Sequence, residues 1–177
     1  MVKLDKTENM PTIHIYIIDT SSLIDLIKWY PRKNFKSLWG KVEELITNNR
    51  LKAPIQVFNE VNRGDDELTS WCEKWKDKLF DNLNTIKYVE QITNKYPNLS
   101  KINKRYKDEC ADPYIIALAK YYKEQSTFDD DRLSYRKPIV ISEESNRKEH
   151  SLTTVCEKED IETISISKLA TKEGWIF

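Results

Sequence analysis

The sequence predicts an α/β fold in which helices cover a mostly parallel sheet. The run at 14–18 is continuous and rich in β-branched and aromatic residues, which is typical of a strand buried on both faces, and strand-like runs follow at 138–141 and 161–166. Long segments with helical periodicity separate these runs, as βα units require. Only three glycines occur, which excludes a glycine-rich phosphate loop or dinucleotide fingerprint.

The composition indicates one charged domain. Residues 1–12 are expected to form a flexible lead-in, and residues 13–177 a single domain. Lys and Arg total 29, as do Asp and Glu, so the net charge of zero excludes a surface that is basic throughout. No secretory signal is visible, and no apolar run approaches the ~18 residues of a membrane span. We therefore expect a cytoplasmic protein without a membrane partner.

The elements follow from local patterns along the chain. After the first strand, apolar residues with helical spacing begin at Leu23, and Pro54 suits the start of a later helix because its φ is fixed. Asp65 or Asp66 is expected to cap the helix that carries Trp71. In order, the remaining predicted elements are a helix over 35–48, a strand over 51–54, helices over 55–63, 66–79, 85–107 and 112–124, the strands at 138–141 and 161–166, and a final short helix.

Acidic residues stand at the ends of two predicted strands. Asp19 follows the first strand, and Glu143 and Glu144 follow the strand at 138–141. Because the carboxyl ends of parallel strands meet at one edge of a sheet, we expect these side chains to lie close together. Glu60 and Asp112, both on predicted helices, complete the acidic set.

Each acidic residue also has a purely structural interpretation. Asp19 suits the N-cap of the helix after the first strand, and Asp112 suits an N-cap followed by Pro113 at the first helical position. Glu60 is interpreted equally well as an exposed helix residue, and Glu143-Glu144 as a solvated turn. No single position therefore decides between a structural role, such as helix capping, and a role in a functional site.

Four motifs in order resemble the PIN-domain nucleases. They are IYIIDTSSLIDLI, IQVFNEV, ADPYIIALA and IVISEES. The Gly-Asp-Asp-Glu-Leu-Thr-Ser-Trp segment at 64–71 and the ending at 155–177 are similar to an uncharacterised, prokaryotic branch of this VapC-like superfamily. The resemblance covers nearly all of residues 13–177.

The resemblance implies an α/β/α sandwich and a metal-dependent endoribonuclease that leaves 5′-phosphate and 3′-hydroxyl ends. By position, Asp19, Glu60 and Asp112 match three acidic catalytic and metal-binding residues, and Ser21 matches a supporting residue. The fourth position is usually Asp, and here Glu144 occupies it with Glu143 beside it. The resemblance also implies an antitoxin partner and a homodimer, since many relatives are toxins of type II toxin–antitoxin pairs.

Elementary electrostatics agrees with a metal at such a site. Two carboxylates about 4 Å apart repel by roughly 4 kcal/mol at an effective dielectric constant of ~20. Several carboxylates in one crevice therefore favour a cation that neutralises them. Ligation by oxygen alone suits Mg²⁺ or Mn²⁺, which would activate water for attack on a phosphodiester.

Two basic and aromatic segments are candidate RNA-binding surfaces. Between residues 91 and 107 there is no acidic side chain, and the expected phosphate contacts are Lys95, Lys101, Lys104, Arg105 and Lys107. A second cluster contains Trp29, Tyr30, Arg32, Lys33 and Lys36. Both segments are interpreted alternatively as solvated surface.

Other classes of protein have different residue requirements. A receiver domain needs paired early acidic residues and a central Asp followed later by Thr and Lys after strands, an order that this chain does not have. A haloacid-dehalogenase-like phosphatase needs a second Asp two residues after Asp19, where this chain has Ser21. A catalytically inactive PIN-like module that binds RNA or protein stays open, because Glu replaces Asp at the fourth acidic position.

Overall fold

The computed structural model describes residues 12–63, 66–99, 110–128, 135–144 and 149–177. The strands within these ranges are β1 (Thr12–Ile18), β2 (Leu51–Pro54), β3 (Phe80–Asp81), β4 (Tyr135–Ile141) and β5 (Glu162–Ile164). They form one sheet in the order β3-β2-β1-β4-β5, and every neighbouring pair is parallel. Helices flank this sheet in an α/β/α sandwich, which confirms the predicted fold class.

The described ranges contain nine helices. They are α1 (Thr20–Trp29), α2 (Lys36–Thr47), α3 (Ile55–Val61), α4 (Glu67–Lys74), α5 (Lys76–Leu79), α6 (Ile86–Lys95), α7 (Asp112–Phe128), α8 (Leu152–Lys158) and α9 (Ile166–Lys172). Asp66, Ser151 and Ser165 cap α4, α8 and α9 by accepting hydrogen bonds from first-turn amides. None of the helices described is long and apolar enough to cross a membrane.

The centre of the molecule is formed by β1 and α7. The last four residues of β1 are buried, because β2 and β4 flank the strand and helices cover the sheet. Five consecutive residues of α7, 115–119, are also buried. The helix contacts β1, β2 and β4, and it packs against Tyr88 and Val89 of α6. Since α7 is buried on several sides, its apolar residues extend beyond a single stripe.

Several element boundaries differ from the predictions. β1 begins at Thr12 and β4 at Tyr135, because these two residues pair with each other although neither strand is buried there. Two elements, β3 and α8, were not predicted; β3 has only two residues and carries no periodicity. Apart from Thr12, the predicted lead-in lies outside the described residues. The helix predicted over 85–107 ends at Lys95, where Tyr96 is the C-cap, and its part from residue 100 onward is not among the described residues.

A topological switch point lies between the carboxyl ends of β1 and β4. From β1 the chain builds the sheet outward through β2 and β3, and it then returns to the opposite side of β1 to form β4 and β5. Crevices at such points hold the ligands of open α/β sheets. Asp19 follows β1 and residues 142–144 follow β4, so the predicted acidic residues border this crevice.

Candidate functional site

Asp19 is buried at the end of β1, with 3% of its surface exposed. Its Oδ1 accepts a hydrogen bond from the Ser22 amide (2.6 Å), so Asp19 caps α1. Its Oδ2 accepts hydrogen bonds from the Ser21 hydroxyl (2.9 Å) and the Ser142 hydroxyl (2.7 Å). Three donors therefore fix the orientation of this carboxylate, and one side chain serves both the helix cap and the crevice.

Glu60 is half-buried on α3 and connects two other helices. Its Oε2 accepts a hydrogen bond from the Thr20 hydroxyl at the start of α1. Its Oε1 accepts one from the Ala111 amide (3.0 Å), directly before α7. The interpretation of Glu60 as an exposed helix residue is therefore wrong.

Asp112 is the first residue of α7, but it is not the N-cap. The Ala111 carbonyl accepts the first hydrogen bond of the helix, from the Ile115 amide (3.0 Å), so Ala111 holds the N-cap position. The predicted cap at Asp112, with Pro113 at the first helical position, was therefore one residue too late. Asp112 is left to face its neighbours across the crevice.

The pKa of Asp112 reveals what those neighbours are. Burial raises this pKa, and the negative charges of Glu144, Asp19 and Glu60 raise it further, to about 7. The Cys110 thiol opposes the increase by hydrogen bonding to the Asp112 carboxylate. The other three predicted acidic residues thus all act electrostatically on Asp112.

The two acidic residues after β4 have different roles. Glu143 points to the start of α9, where its Oε1 accepts a hydrogen bond from the Ile166 amide (2.6 Å). Glu144 points to the start of α8, where its Oε2 accepts one from the Leu152 amide (3.1 Å). Of the pair, Glu144 is the one whose charge raises the pKa of Asp112. The geometry therefore favours Glu144 as the fourth acidic residue.

Within the part of the chain that is described, no three His, Cys, Asp or Glu side chains are arranged to hold a metal ion together. Both oxygens of Glu60 already accept hydrogen bonds, so Glu60 would have to release one of them to bind an ion at Asp112, whereas Glu144 uses only Oε2 on the Leu152 amide. The donor set nevertheless suits Mg²⁺ or Mn²⁺, because it consists of carboxylate oxygens. The raised pKa of Asp112 also indicates excess negative charge that a cation would offset.

Two cysteines border the acidic site. Burial and the charge of Asp112 raise the pKa of Cys110 to about 12. Burial and the charges of Asp112 and Asp19 likewise raise the pKa of Cys156, which is fully buried. Since nucleophilic catalysis requires a thiolate, neither cysteine is suited to it at neutral pH.

The predicted basic contacts are described only in part. Lys95 forms an ion pair with Glu159 (2.7 Å) at the end of α8, whereas Glu144 contacts the start of that helix. The Lys95 ammonium group is therefore turned toward Glu159, a carboxylate outside the acidic site. Lys101, Lys104, Arg105 and Lys107 lie outside the described residues.

Two hydroxyl residues of the site were not predicted as members. Ser142 orients Asp19, and Thr20 hydrogen-bonds Glu60. Both were visible as small polar residues next to an acidic position, Thr20 after Asp19 and Ser142 before Glu143. Their partners, however, depend on contacts between distant segments.

Comparison with known proteins gives a family but no activity. No curated protein matches the sequence. The profile of one protein family, described as a domain of unknown function (DUF4411), matches residues 16–177. This range includes every residue of the acidic site and all but the first four residues of the described structure. The chain therefore belongs to the DUF4411 family.

Proposed function

We propose that this chain is a metal-dependent endoribonuclease that hydrolyses phosphodiester bonds at the acidic site. The observation that carries the proposal is the convergence of Asp19, Glu60, Asp112 and Glu144 on the switch-point crevice, expressed in the raised pKa of Asp112. A bound Mg²⁺ or Mn²⁺ would supply charge neutralisation and an activated water. RNA as the substrate rests on the resemblance to PIN-domain nucleases.

The described contacts suggest a division of work among the residues. Asp19 and Asp112 would hold the cation, since Asp19 is fixed by Ser21 and Ser142 and Asp112 faces the crevice. Glu144 would adjust its position from the α8 amide toward the ion. Glu60 would orient the start of α7, and thereby Asp112, through the Ala111 amide. Such fixed orientation of ligands is what phosphoryl chemistry requires from the protein.

The decisive experiment is a cleavage assay with end-labelled single-stranded RNA in Mn²⁺, in Mg²⁺ and in EDTA. We expect cleavage only with a divalent cation, and we expect Asp112→Asn and Asp19→Asn to reduce the rate by about 100-fold or more. Asp77→Asn is the matched control, because Asp77 is exposed on α5, near the opposite edge of the sheet. Equal cleavage by the wild type and Asp112→Asn would contradict the proposal.

The alternative is a catalytically inactive module that binds RNA or protein. It is favoured by the hydrogen bonds that Glu60 and Glu144 already make to backbone amides, since these satisfy the carboxylates without an ion. In that case RNA or a protein binds at the crevice, but no RNA is cut in Mn²⁺. The same assay, combined with a binding measurement, separates the two functions.

A toxin role extends the proposal by analogy with the PIN-domain toxins. Expression of the wild-type chain is then expected to arrest growth, while Asp112→Asn does not. Co-expression of the product of the adjoining gene, as the antitoxin, is expected to restore growth. Normal growth during expression of an enzyme that cuts RNA in vitro would exclude this role and leave the nuclease proposal intact.

A further inference from the structure

A cavity of about 220 Å³ adjoins the acidic site at the same edge of the sheet. It is lined by Asp25, Trp29, Tyr30, Glu143, Ile166 and Ser167. Ile166 and Ser167 begin α9 just beyond β5, and Glu143 follows β4. The cavity therefore lies beyond the carboxyl ends of β4 and β5, next to the switch-point crevice.

Two connections fix the cavity close to the acidic residues. Glu143 stands in the chain between Ser142, which donates to Asp19, and Glu144. Asp25 lies on α1, six residues after Asp19, the N-cap of this helix, which corresponds to about 9 Å of helical rise. A single RNA strand with a phosphate at the acidic site would therefore bring a neighbouring base within reach of the cavity.

Trp29 gives the cavity a flat aromatic wall. It is 65% exposed, the largest exposed fraction among the described tryptophans, so much of its ring is open to a ligand. The Lys28 ammonium lies over one face of the ring, 5.5 Å from its centroid, so a base would stack on the opposite face. Unpaired bases stack on such exposed rings in single-stranded RNA complexes.

The polar groups of the cavity are mainly hydrogen-bond acceptors. The Asp25 side chain has no hydrogen-bond or ion-pair partner among the described residues, although the residue is half-buried. Glu143 has one oxygen bonded to the Ile166 amide, which offsets part of its charge and leaves the second oxygen available. A ligand that presents adjacent N–H donors therefore complements the cavity.

We propose that this cavity binds a base next to the cleaved phosphate and prefers guanine; this inference rests on the proposed ribonuclease function. Guanine presents N1–H and N2–H₂ side by side, so it can donate two hydrogen bonds to one carboxylate. Uracil presents one N–H between two carbonyl oxygens, which carboxylates repel. Adenine and cytosine each offer an amino group beside an acceptor and are intermediate. The enzyme thus reads sequence beside its cleavage site.

The test measures binding without catalysis. Fluorescein-labelled hexaribonucleotides, UUGUUU and UUUUUU, are titrated with protein in EDTA and followed by anisotropy. We expect the wild type to bind the guanine hexamer about 10-fold more tightly. Asp25→Asn is expected to reduce this preference to less than about threefold, and Trp29→Ala to weaken guanine-hexamer binding by about 5- to 150-fold.

Two variants serve as matched controls. Asp77→Asn removes an exposed carboxylate just before β3, and Tyr135→Ala removes an exposed ring at the start of β4, both near the opposite edge of the sheet. Neither is expected to change the preference. Thermal unfolding of each variant verifies that the chain remains folded.

Three results would overturn the proposal. The first is equal affinity of the wild type for the two hexamers, and the second is an unchanged preference in Asp25→Asn. The third is a Trp29-dependent complex with an arginine-containing peptide but with neither hexamer, which would assign the cavity to a protein partner. Guanine-selective binding without cleavage in Mn²⁺ supports the cavity and refutes the ribonuclease. Cleavage of RNA in Mn²⁺ together with equal binding of the two hexamers would support the ribonuclease and refute the guanine preference of the cavity.

Discussion

At the scale of the residue, the fold treats Asp19 and Asp112 in opposite ways. Asp19 is buried and accepts three hydrogen bonds, from one amide and two hydroxyls. Asp112 has the Cys110 thiol as a donor and three negative charges as neighbours. Asp19 is therefore part of the structural framework, whereas the charge of Asp112 opposes folding in the absence of a cation.

Asp112→Asn is expected to stabilise the metal-free protein at and above neutral pH. In the unfolded chain Asp112 loses its proton near pH 3.8, but in the folded chain only near pH 7. The protonated Asp112 side chain therefore contributes its full amount to the free energy of unfolding below pH 3.8, and this contribution is lost as the pH rises to about 7. At 1.36 kcal/mol per pH unit the loss is at most about 4 kcal/mol. Urea denaturation in EDTA at pH 5 and pH 8 measures the part of this loss that falls between pH 5 and pH 7, about 3 kcal/mol.

The same variant separates a ligand from a structural residue. Added Mn²⁺ is expected to raise the free energy of unfolding of the wild type and to leave that of Asp112→Asn unchanged. A parallel pH dependence of the two proteins, together with equal stabilisation by Mn²⁺, would show that Asp112 neither carries the charge conflict nor binds the ion.

Asp19→Ala is expected to have the opposite effect on stability. It removes the cap of α1 and leaves the Ser22 amide and the Ser142 hydroxyl without their acceptor. We expect the free energy of unfolding to fall by about 2–4 kcal/mol. Asp19→Asn retains one acceptor oxygen and should lose less than Asp19→Ala. Chemical denaturation at pH 8 in EDTA compares the two, and equal stability of both variants with the wild type would contradict the assigned cap.

At the scale of the element, one carboxylate holds three helices together. Glu159, at the end of α8, accepts hydrogen bonds from Lys95 and Tyr96 near the end of α6 and from Lys120 of α7, each at 2.7 Å. Burial acts to raise the pKa of Glu159, but these three donors outweigh it and lower the pKa to about 2. This junction holds α7 in place, and Asp112 is the first residue of that helix.

Glu159→Gln is therefore expected to lower the free energy of unfolding at pH 7 by about 1–3 kcal/mol. The wild-type advantage is present above pH 4.5, where the unfolded carboxyl is ionised, and it is lost as the pH falls toward 2. The difference in free energy of unfolding between the wild type and Glu159→Gln should thus become smaller in acid. Glu157→Gln, an exposed change on the same helix, is the control, and a loss of the same size in both variants would refute the junction.

At the scale of the whole molecule, a net charge of zero gives RNA no general attraction to the surface. Binding must then depend on local cations near the acidic crevice. Among the predicted RNA contacts, Lys95 forms an ion pair with Glu159. The remaining candidates are the basic residues of the segment that leads into Asp112. RNA affinity is therefore predicted to depend on a few positions and on salt.

Simultaneous reversal of Lys101, Lys104 and Arg105 to Glu is expected to weaken RNA binding. Loss of three phosphate contacts to a single strand should lower the slope of log affinity against log salt by about 2. Lys76, Lys78 and Lys158, changed to Glu together, give the same change in net charge elsewhere. Anisotropy titrations between low and physiological salt compare them, and identical slopes for the two triple variants would refute the predicted surface.

Local patterns predicted most of the elements. Runs of β-branched residues identified β1 and β4, because strands buried on both faces need continuous apolar sequence, and β5 was identified by isoleucine and threonine although it is a half-buried edge strand. Two elements carried too little local signal: β3 has two residues, and the capping serine of α8 follows a polar stretch. α7 begins one residue earlier than predicted, with Ala111 as its N-cap, and the Ala111 amide donates to the Glu60 side chain of another helix, a contact that no local pattern indicates.

The sequence by itself determined the fold class, the strand-end position of Asp19 and the identity of the four acidic candidates, because these depend on periodicity and on the order of motifs. Only the tertiary structure decided that Glu144 acts on Asp112 while Glu143 holds α9, that Ser142 orients Asp19, and that Asp112 is left with an unfavourable charge. These outcomes depend on distances between segments far apart in the chain, and on burial, neither of which any local pattern encodes.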